Sequence, residues 1–165
     1  MAGLRSLDLL AAIVIIGSLA GLAFVLREER IAGGAVAIDG DTLVMDGRRI
    51  RLRGMDAPEL AQTCRRDAQV WRCGEEARAA LRALIANRTV DCAPKGRDRY
   101  ERVLAICGVD GTDVGAELVR RGLAVSFGAY LDEEREARAA RRGVWAGPFE
   151  TPQAWRRRHE GEGRT

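Results

Sequence analysis

Eighteen consecutive uncharged residues, Leu9 to Leu26, constrain this chain more than any other feature of its sequence. An α-helix of that length measures ~27 Å, which is close to the ~30 Å hydrocarbon thickness of a bilayer. Asp8 bounds the run on one side and Arg27 on the other. A helix in a soluble core carries a polar stripe, and this run has almost none. We therefore predict one N-terminal transmembrane helix, an anchor or signal-anchor, over residues 9–26.

A cleaved signal peptide is the alternative interpretation of the same segment. Ser18-Leu19-Ala20 has small residues at the spacing that a signal peptidase prefers, and the apolar run continues beyond them to Leu26. In the first interpretation the protein is anchored in the membrane, with residues 1–8 as a short flank and residues 27–34 as a linker. In the second interpretation the protein is secreted.

The four cysteines predict two disulfides. Cys64 and Cys73 are separated by eight residues, and Cys92 and Cys107 by fourteen, so none forms the close pair typical of a structural zinc site. Four cysteines allow three pairings, and we favour Cys64–Cys73 with Cys92–Cys107 because each closes a local loop. Disulfides persist outside the cytoplasm, on the periplasmic or extracellular face, whereas four free thiols would indicate a cytoplasmic domain.

The pattern after the apolar run predicts a β-rich α+β fold. Strand-forming residues and Asp-Gly turns over residues 31–56 predict a three-stranded meander, and apolar residues at helical spacing predict a helix over 74–87. Further strands are predicted at 89–90 and 103–107, and short helices near 114–121 and 131–142. Together they predict a five-stranded barrel of the oligonucleotide/oligosaccharide-binding (OB) type, with about three helices, over residues 35–150. Residues 151–165 form a basic C-terminal tail.

Charge and residue usage exclude several function classes. The net charge of +3 is too small to indicate a nucleic-acid-binding protein by itself. The single histidine, His159, lies in the tail, which argues against serine–histidine catalysis and histidine-rich zinc sites. No glycine-rich phosphate loop of the usual spacing is present.

Two carboxylates, Asp41 and Asp56, are candidates for a metal site. Asp41 begins the second predicted strand and Asp56 follows the third, and these two points lie at the same end of a meander. Carboxylate and carbonyl oxygens are the ligands that Ca²⁺ prefers. Pro58 holds Ala57 extended and so directs Glu59 toward the same place. Taken alone, these residues also suit ordinary turns.

Arginines near these carboxylates suggest phosphate chemistry. Arg51 and Arg102 each offer a forked pair of donors that matches a phosphate, and Glu59 offers a base for water. With a metal ion, these are the groups that phosphodiester hydrolysis requires. The segment around Arg102, taken alone, also fits a solvated loop with internal ion pairs.

The same residues occur in an order that resembles the staphylococcal nuclease (thermonuclease) family. The matching motifs are Asp39-Gly40-Asp41-Thr42, Arg51 five residues before Asp56-Ala57-Pro58-Glu59, Asp98-Arg99-Tyr100-Glu101-Arg102, and Glu117-Leu118-Val119-Arg120-Arg121-Gly122-Leu123-Ala124. The similarity runs from about Ala35 to Trp145, which defines residues 35–150 as a nuclease-like OB-fold domain. The chain is similar to a membrane-anchored or exported bacterial member of that family.

The resemblance implies a function and a set of site residues. It places the calcium ligands at Asp41, Asp56 and the backbone carbonyl of Ala57, and the catalytic roles at Arg51, Glu59 and Arg102. The implied activity is that of a calcium-dependent phosphodiesterase, an endo- or exonuclease. Its implied substrates are DNA and RNA, preferably single-stranded or flexible, cut with little sequence specificity to leave 3′-phosphate ends.

Contacts to the bases follow the resemblance less closely. The family's prototype has two tyrosines, two positions apart, over the nucleotide; here Tyr130 matches one, Gly128 replaces the other, and Phe127 is a candidate to stand in. Arg99 is a candidate for a terminal phosphate, with a surface ion pair to Asp98 as the alternative. The substrate-binding candidates are Arg99, Tyr100, Phe127 and Tyr130.

A second function from another class fits part of the same evidence. A membrane-tethered module that binds nucleic acid or an envelope partner without cutting it would need the barrel and the N-terminal helix alone. The presence of Asp41, Asp56, Glu59, Arg51 and Arg102 argues for hydrolysis instead. Breakdown of nucleic acid that depends on calcium distinguishes the two functions.

Overall fold

A computed structural model describes residues 30–66 and 69–162 of the chain. The predicted anchor over residues 9–26 lies outside these ranges. Across the residues that are described, no helix has the length and apolar character needed to cross a membrane.

Many short strands alternate with a few helices across the described residues. The strands are β1 (Ile31–Gly33), β2 (Val36–Ala37), β3 (Thr42–Met45), β4 (Arg48–Leu52), β5 (Met55–Asp56), β6 (Cys64–Arg66), β7 (Gln69–Trp71), β8 (Val90–Arg97), β9 (Val103–Val109), β10 (Thr112–Asp113) and β11 (Val125–Ser126). The helices are α1 (Cys73–Ile85), α2 (Val114–Arg120), α3 (Leu131–Ala139) and α4 (Pro152–Glu162), with a 3₁₀ turn at Gly143–Ala146.

The main sheet curls into a barrel. Its strand order is β1-β8-β9-β4-β3-β2, with β10 added to β9, so seven strands take part where five were predicted. β4 and β9 pair in parallel and the other neighbours are antiparallel. Only Gly34 and Ala35 separate β1 from β2, which occupy the two ends of the order. One bent N-terminal segment therefore joins both ends of the sheet, and the predicted β-rich α+β class is confirmed.

Alternation of side chains along the strands explains the core. In β9 the buried residues are Val103, Ala105, Cys107 and Val109, which is the period of two expected for a strand with one buried face. β3 and β4 form the predicted hairpin, and both turn residues, Asp46 and Gly47, have positive φ angles of 46° and 74°. That combination is typical of a tight two-residue turn whose twist matches the strands.

Helix α1 covers the barrel with the apolar face that the sequence predicts. Ala77, Leu81 and Ile85 are buried on it and belong to the main core. The helix ends at Ile85, and Asn87 follows with a left-handed φ of 57°, as expected for a residue that stops a helix.

Several elements lie where the sequence predicted none, and three of them concern the site. β6 and β7 form a separate hairpin before α1, and α4 occupies the segment predicted to be only a basic tail. Residues just before the tail pack on the hairpin region: Val144, with Trp145 and Phe149, forms a small apolar cluster around Cys64 and Cys73. This packing holds residues 144–149 against the β6–β7 hairpin.

Both predicted disulfides are present. Cys64 and Cys73 join the β6–β7 hairpin to the start of α1. Cys92 and Cys107 are directly opposite each other on β8 and β9, and both are buried. No described cysteine is free.

We expect loss of the Cys64–Cys73 bond to lower the free energy of unfolding. The bond closes a loop with a sequence separation of 9, for which the chain-entropy relation gives about 2.5 kcal/mol. Urea unfolding of the Cys64→Ala/Cys73→Ala variant measures the difference. The same comparison under reducing conditions is the control, because the bond is then absent from both proteins. Equal stability without reductant would contradict the prediction.

Candidate active site

A cleft of about 800 Å³ opens at one side of the barrel, and most of the predicted site residues line it. The lining includes Asp41, Arg51, Ala57, Glu59, Arg99, Tyr100, Arg102 and Phe127. Asp56 lies beneath the cleft, with 3% of its surface exposed. Seven of the predicted positions between residues 41 and 102 therefore line this cleft, and Phe127 lines it with them.

The strand register brings the two aspartates together. Asp41 directly precedes β3, and its neighbour Thr42 pairs with Arg51 of β4. The backbone N–H of Leu52 donates to the carbonyl of Asp41 at 2.8 Å. Asp56 ends β5, where it pairs with Val125 of β11. Both carboxylates thus project from the same end of the meander, as the sequence predicted.

One guanidinium bridges these carboxylates. Nη1 of Arg51 contacts Oδ1 of Asp41, and Nη2 of Arg51 donates to Oδ1 of Asp56 at 2.6 Å. Asp41 also accepts from the hydroxyl of Thr42 at 3.0 Å and from the backbone N–H of Ala57 at 3.2 Å. A planar fork is needed to reach two acids at once, and lysine has none.

Burial sets the electrostatics of this cluster. It raises the pKa of Asp41 to about 6, against the lowering effect of the neighbouring Arg51. Burial would lower the pKa of Arg51, yet the charges of Asp41 and Asp56 outweigh it and raise that pKa. Removing two carboxylates from water is costly unless positive charge accompanies them. These buried carboxylates therefore need positively charged partners.

The main chain of Glu59 is fixed by a buried glutamine. Gln62, which is fully buried, accepts from the backbone N–H of Glu59 at 3.1 Å, and its own N–H donates to the carbonyl of Glu59 at 2.7 Å. The side-chain amide of Gln62 also donates to the carbonyl of Glu150 at 2.7 Å. Gln62 therefore joins the loop that carries Glu59 to the segment before α4.

Arg156 of α4 is a cleft residue that the sequence analysis missed. Its guanidinium donates to both carboxylate oxygens of Asp56, at 3.1 and 2.8 Å, and to Oε1 of Glu59 at 2.7 Å. Burial would lower the pKa of Arg156, but hydrogen bonds to Asp56 and Glu59 outweigh that effect and raise it. The run Trp155-Arg156-Arg157-Arg158 was the available signal, and its spacing does not reveal which arginine faces the barrel.

Arg102 lies on another part of the cleft wall. Its Nε and Nη2 atoms both lie 2.7 Å from Oδ2 of Asp98, whose other oxygen accepts from the backbone N–H groups of Tyr100 and Arg102. Asp98 therefore pairs with Arg102. Arg99 donates to the hydroxyl of Tyr100 at 2.6 Å rather than pairing with Asp98, and its expected contact with a terminal phosphate stays a prediction.

The two aromatic candidates near residue 130 differ in position. Phe127 lines the cleft and is 62% exposed. Tyr130 does not line the cleft; its hydroxyl donates to the carboxylate of Asp113 at 3.0 Å, and its ring packs beside Gly54 and Gly115. Burial and then the charge of Asp113 raise the pKa of Tyr130. The hydroxyl of Tyr130 is thus held by Asp113, and the base contact predicted for its ring stays a prediction.

The donor set suits a hard cation such as calcium. Asp41 and Asp56 offer carboxylate oxygens, both residues are almost fully buried, and two guanidinium groups now serve as their counter-charges. The contact between Ala57 and this cluster is through its backbone N–H. Among the described residues, no group of three or more His, Cys, Asp or Glu is arranged around a metal position. A calcium site here would rest on two carboxylates completed by main-chain oxygen and water.

Most of the cleft residues lie within the part of the chain that matches a known protein family. The family model for staphylococcal nuclease homologues matches residues 49–147, which include Arg51, Asp56, Glu59 and Arg102. The match begins after Asp41 and ends before Arg156.

Three relatives illustrate the similarity. The chain is 40% identical over 126 residues to the succinoglycan biosynthesis protein ExoI of Rhizobium meliloti, covering 71% of this chain and 65% of that protein. It is 30% identical over 147 residues to an uncharacterized endonuclease of Haemophilus influenzae, covering 81% and 77% of the two chains. It is 35% identical over 133 residues to an uncharacterized endonuclease of Escherichia coli, covering 73% and 81%.

Proposed function

The chain belongs to the staphylococcal nuclease family, and from that premise we propose that it is a calcium-dependent nuclease that hydrolyses phosphodiesters in DNA and RNA. The observation that carries the proposal is the bridge of Arg51 across Asp41 and Asp56, with Glu59 joined to the same cluster through Arg156. The arrangement gathers acids, a base and forked cations in one open cleft.

Each group in the cleft has a role in this proposal. Asp41 and Asp56 would hold calcium, which when bound would supply Lewis-acid stabilisation of the negative charge on the substrate phosphate. Arg51 and Arg102 donate to phosphate oxygens and stabilise the charge that grows on them. Glu59 orients the attacking water and accepts its proton; Oε1 of Glu59 is engaged by Arg156, which leaves Oε2 for the water.

The bond changes follow from in-line attack. The water oxygen forms a bond to phosphorus while the bond from phosphorus to the 5′ oxygen breaks. The proton of the water passes to Oε2 of Glu59, and the leaving 5′ oxygen takes a proton from solvent. The products are a 3′-phosphate end and a 5′-hydroxyl end, as the family resemblance implies.

The cleft favours substrates that are flexible and of any sequence. Its polar lining is rich in arginine, and contacts to phosphate position a strand without reading its bases. Tyr100 and Phe127 are 61% and 62% exposed, so their rings offer stacking surfaces to unpaired bases. We therefore propose a preference for single-stranded or flexible nucleic acid, with little sequence specificity.

We further propose that the domain works outside the cytoplasm, anchored by the N-terminal apolar segment or secreted after its cleavage. The two disulfides support this location, because such bonds persist in oxidising compartments. A reporter fused after Thr165 in the producing cell would give its signal outside the cytoplasm, and a cytoplasmic signal would contradict the proposed location.

The test of the nuclease is an assay of the full chain with single-stranded DNA and RNA. We expect breakdown in calcium, none in excess chelator, and products that accept a 5′-phosphate from a kinase and resist extension by a polymerase until a phosphatase treats them. Binding without breakdown would favour the alternative, a membrane-tethered module that holds nucleic acid. Neither binding nor breakdown would reject both.

A further inference from the structure

Glu59 lies on a loop, and its carboxylate needs a partner to keep one orientation. The residue follows Pro58, outside any strand or helix, and 35% of its side chain is exposed. The side-chain contact that the structure gives Glu59 is the 2.7 Å ion pair with Arg156. Within the cleft Glu59 also has Asp56 as a neighbour of the same charge, since one guanidinium contacts both acids.

The contact is built from two ends of the chain. Arg156 is 97 residues from Glu59 and 100 residues from Asp56 in sequence. Helix α4 carries it, and Gln62 joins the segment before that helix to the main chain of Glu59. The main chain of Glu59 is thus held by Gln62, and its side chain by Arg156.

We propose that Arg156 is a positioning residue for the nuclease reaction: it holds the carboxylate of Glu59 against Asp56, so that the free oxygen of Glu59 meets the attacking water. This inference rests on the proposed function, and it makes the C-terminal helix part of the active site. Arg156 acts through Glu59 and contacts no reacting atom. Its removal therefore weakens the reaction step and leaves nucleic-acid binding largely intact.

The first test is a kinetic comparison of Arg156→Gln with the wild-type full chain. We expect kcat to fall by about 10- to 30-fold, a part of the loss that a misplaced catalytic group causes, while KM for single-stranded DNA stays within about twofold. Arg156→Lys keeps the charge and is expected to recover part of the lost kcat. Arg157→Gln is the matched control, because it removes a charge from the next position of the same helix and Arg157 does not line the cleft.

A double-mutant cycle separates positioning from direct action. In a Glu59→Gln background, Arg156→Gln is expected to change kcat by less than about twofold, since the group that it positions is already lost. A full 10-fold further loss in that background would overturn the proposal. Unchanged kcat in the Arg156→Gln single variant would also overturn it, and higher kcat would show that Arg156 obstructs the cleft instead.

Calcium binding gives a readout that is independent of turnover. Arg156 places positive charge beside Asp56, so calorimetric titration of Arg156→Gln is expected to give a calcium dissociation constant that is unchanged or several-fold lower. A several-fold weaker affinity would overturn the proposal, because it would mean that Arg156 maintains the metal site itself. An inactive wild-type protein would reject the proposed nuclease, whereas an active wild-type protein with an insensitive Arg156 would reject only the positioning role.

Discussion

Replacing Arg51 with lysine will lower kcat for nucleic-acid hydrolysis by about 10²–10³, the cost that is typical of losing one preorganised donor to the transition state. The structure gives a second reason for a large effect. The two terminal nitrogens of Arg51 contact separate carboxylates, Asp41 and Asp56, and a lysine ammonium has no fork with which to reproduce that bridge. Steady-state kinetics with single-stranded DNA measures the loss.

A matched control for Arg51→Lys is available on the same strand. Arg48 is exposed, pairs with Met45 at the hairpin end, and does not line the cleft, so Arg48→Lys should retain wild-type kcat. Thermal melting of both variants separates loss of chemistry from loss of fold. A wild-type kcat in Arg51→Lys would contradict the role assigned to the guanidinium of Arg51.

Adding one methyl group at Gly74 is expected to lower activity by about 10²-fold, although Gly74 contacts no substrate. Gly74 lies in the first turn of α1, packed directly against the main chain of the loop that carries Glu59. A Cβ atom there would lie 2.6 Å from the carbonyl carbon of Glu59 and 2.9 Å from Cα of Leu60. Because these neighbours are main-chain atoms, the loop must move, and a displacement of ~1 Å in a catalytic group costs about 10²-fold in rate.

The Gly74→Ala variant should also be less stable, by the roughly 1–3 kcal/mol typical of overpacking. Kinetics and urea unfolding measure the two effects on the same preparation. Gly33→Ala is the control, since the structure describes no atom within 4 Å of the position that its Cβ would take. Wild-type kcat in Gly74→Ala would mean that the Glu59 loop tolerates the added methyl group. The prediction that packing of α1 controls the position of Glu59 would then be contradicted.

Part of the site was predictable because strand geometry constrains it. The Asp-Gly turns and alternating residues of the first hairpin place Asp41 and Arg51 side by side, and the structure confirms that Asp56 meets them at the same end. The disulfides were predictable for a related reason. Each joins cysteines that are close in sequence, with separations of 9 and 15, so the pairing needs little knowledge of the fold.

Other features were not predictable because their partners are remote in sequence. The hairpin of β6 and β7 is three residues on each side, too short for a periodic signal. A disulfide joins it to α1, and Val144, Trp145 and Phe149 pack against it. The contact that holds Tyr130 was not predicted either, since its hydroxyl is tied to Asp113, seventeen residues away. Sequence spacing does not record which polar group will satisfy a half-buried hydroxyl.

The sequence by itself determined the β-rich class and the hairpin that places Asp41 beside Arg51, because local turns and strand periodicity control both. It favoured the two disulfide pairings that form, since each closes a short loop. Only the tertiary structure decided that Arg156 contacts Asp56 and Glu59. A run of arginines gives no preference for one position, and the choice is made by the placement of α4: the side-chain amide of Gln62 donates to Glu150, just before the helix, and Arg156 on the helix reaches Asp56. Long-range packing sets such contacts, so no local pattern encodes them.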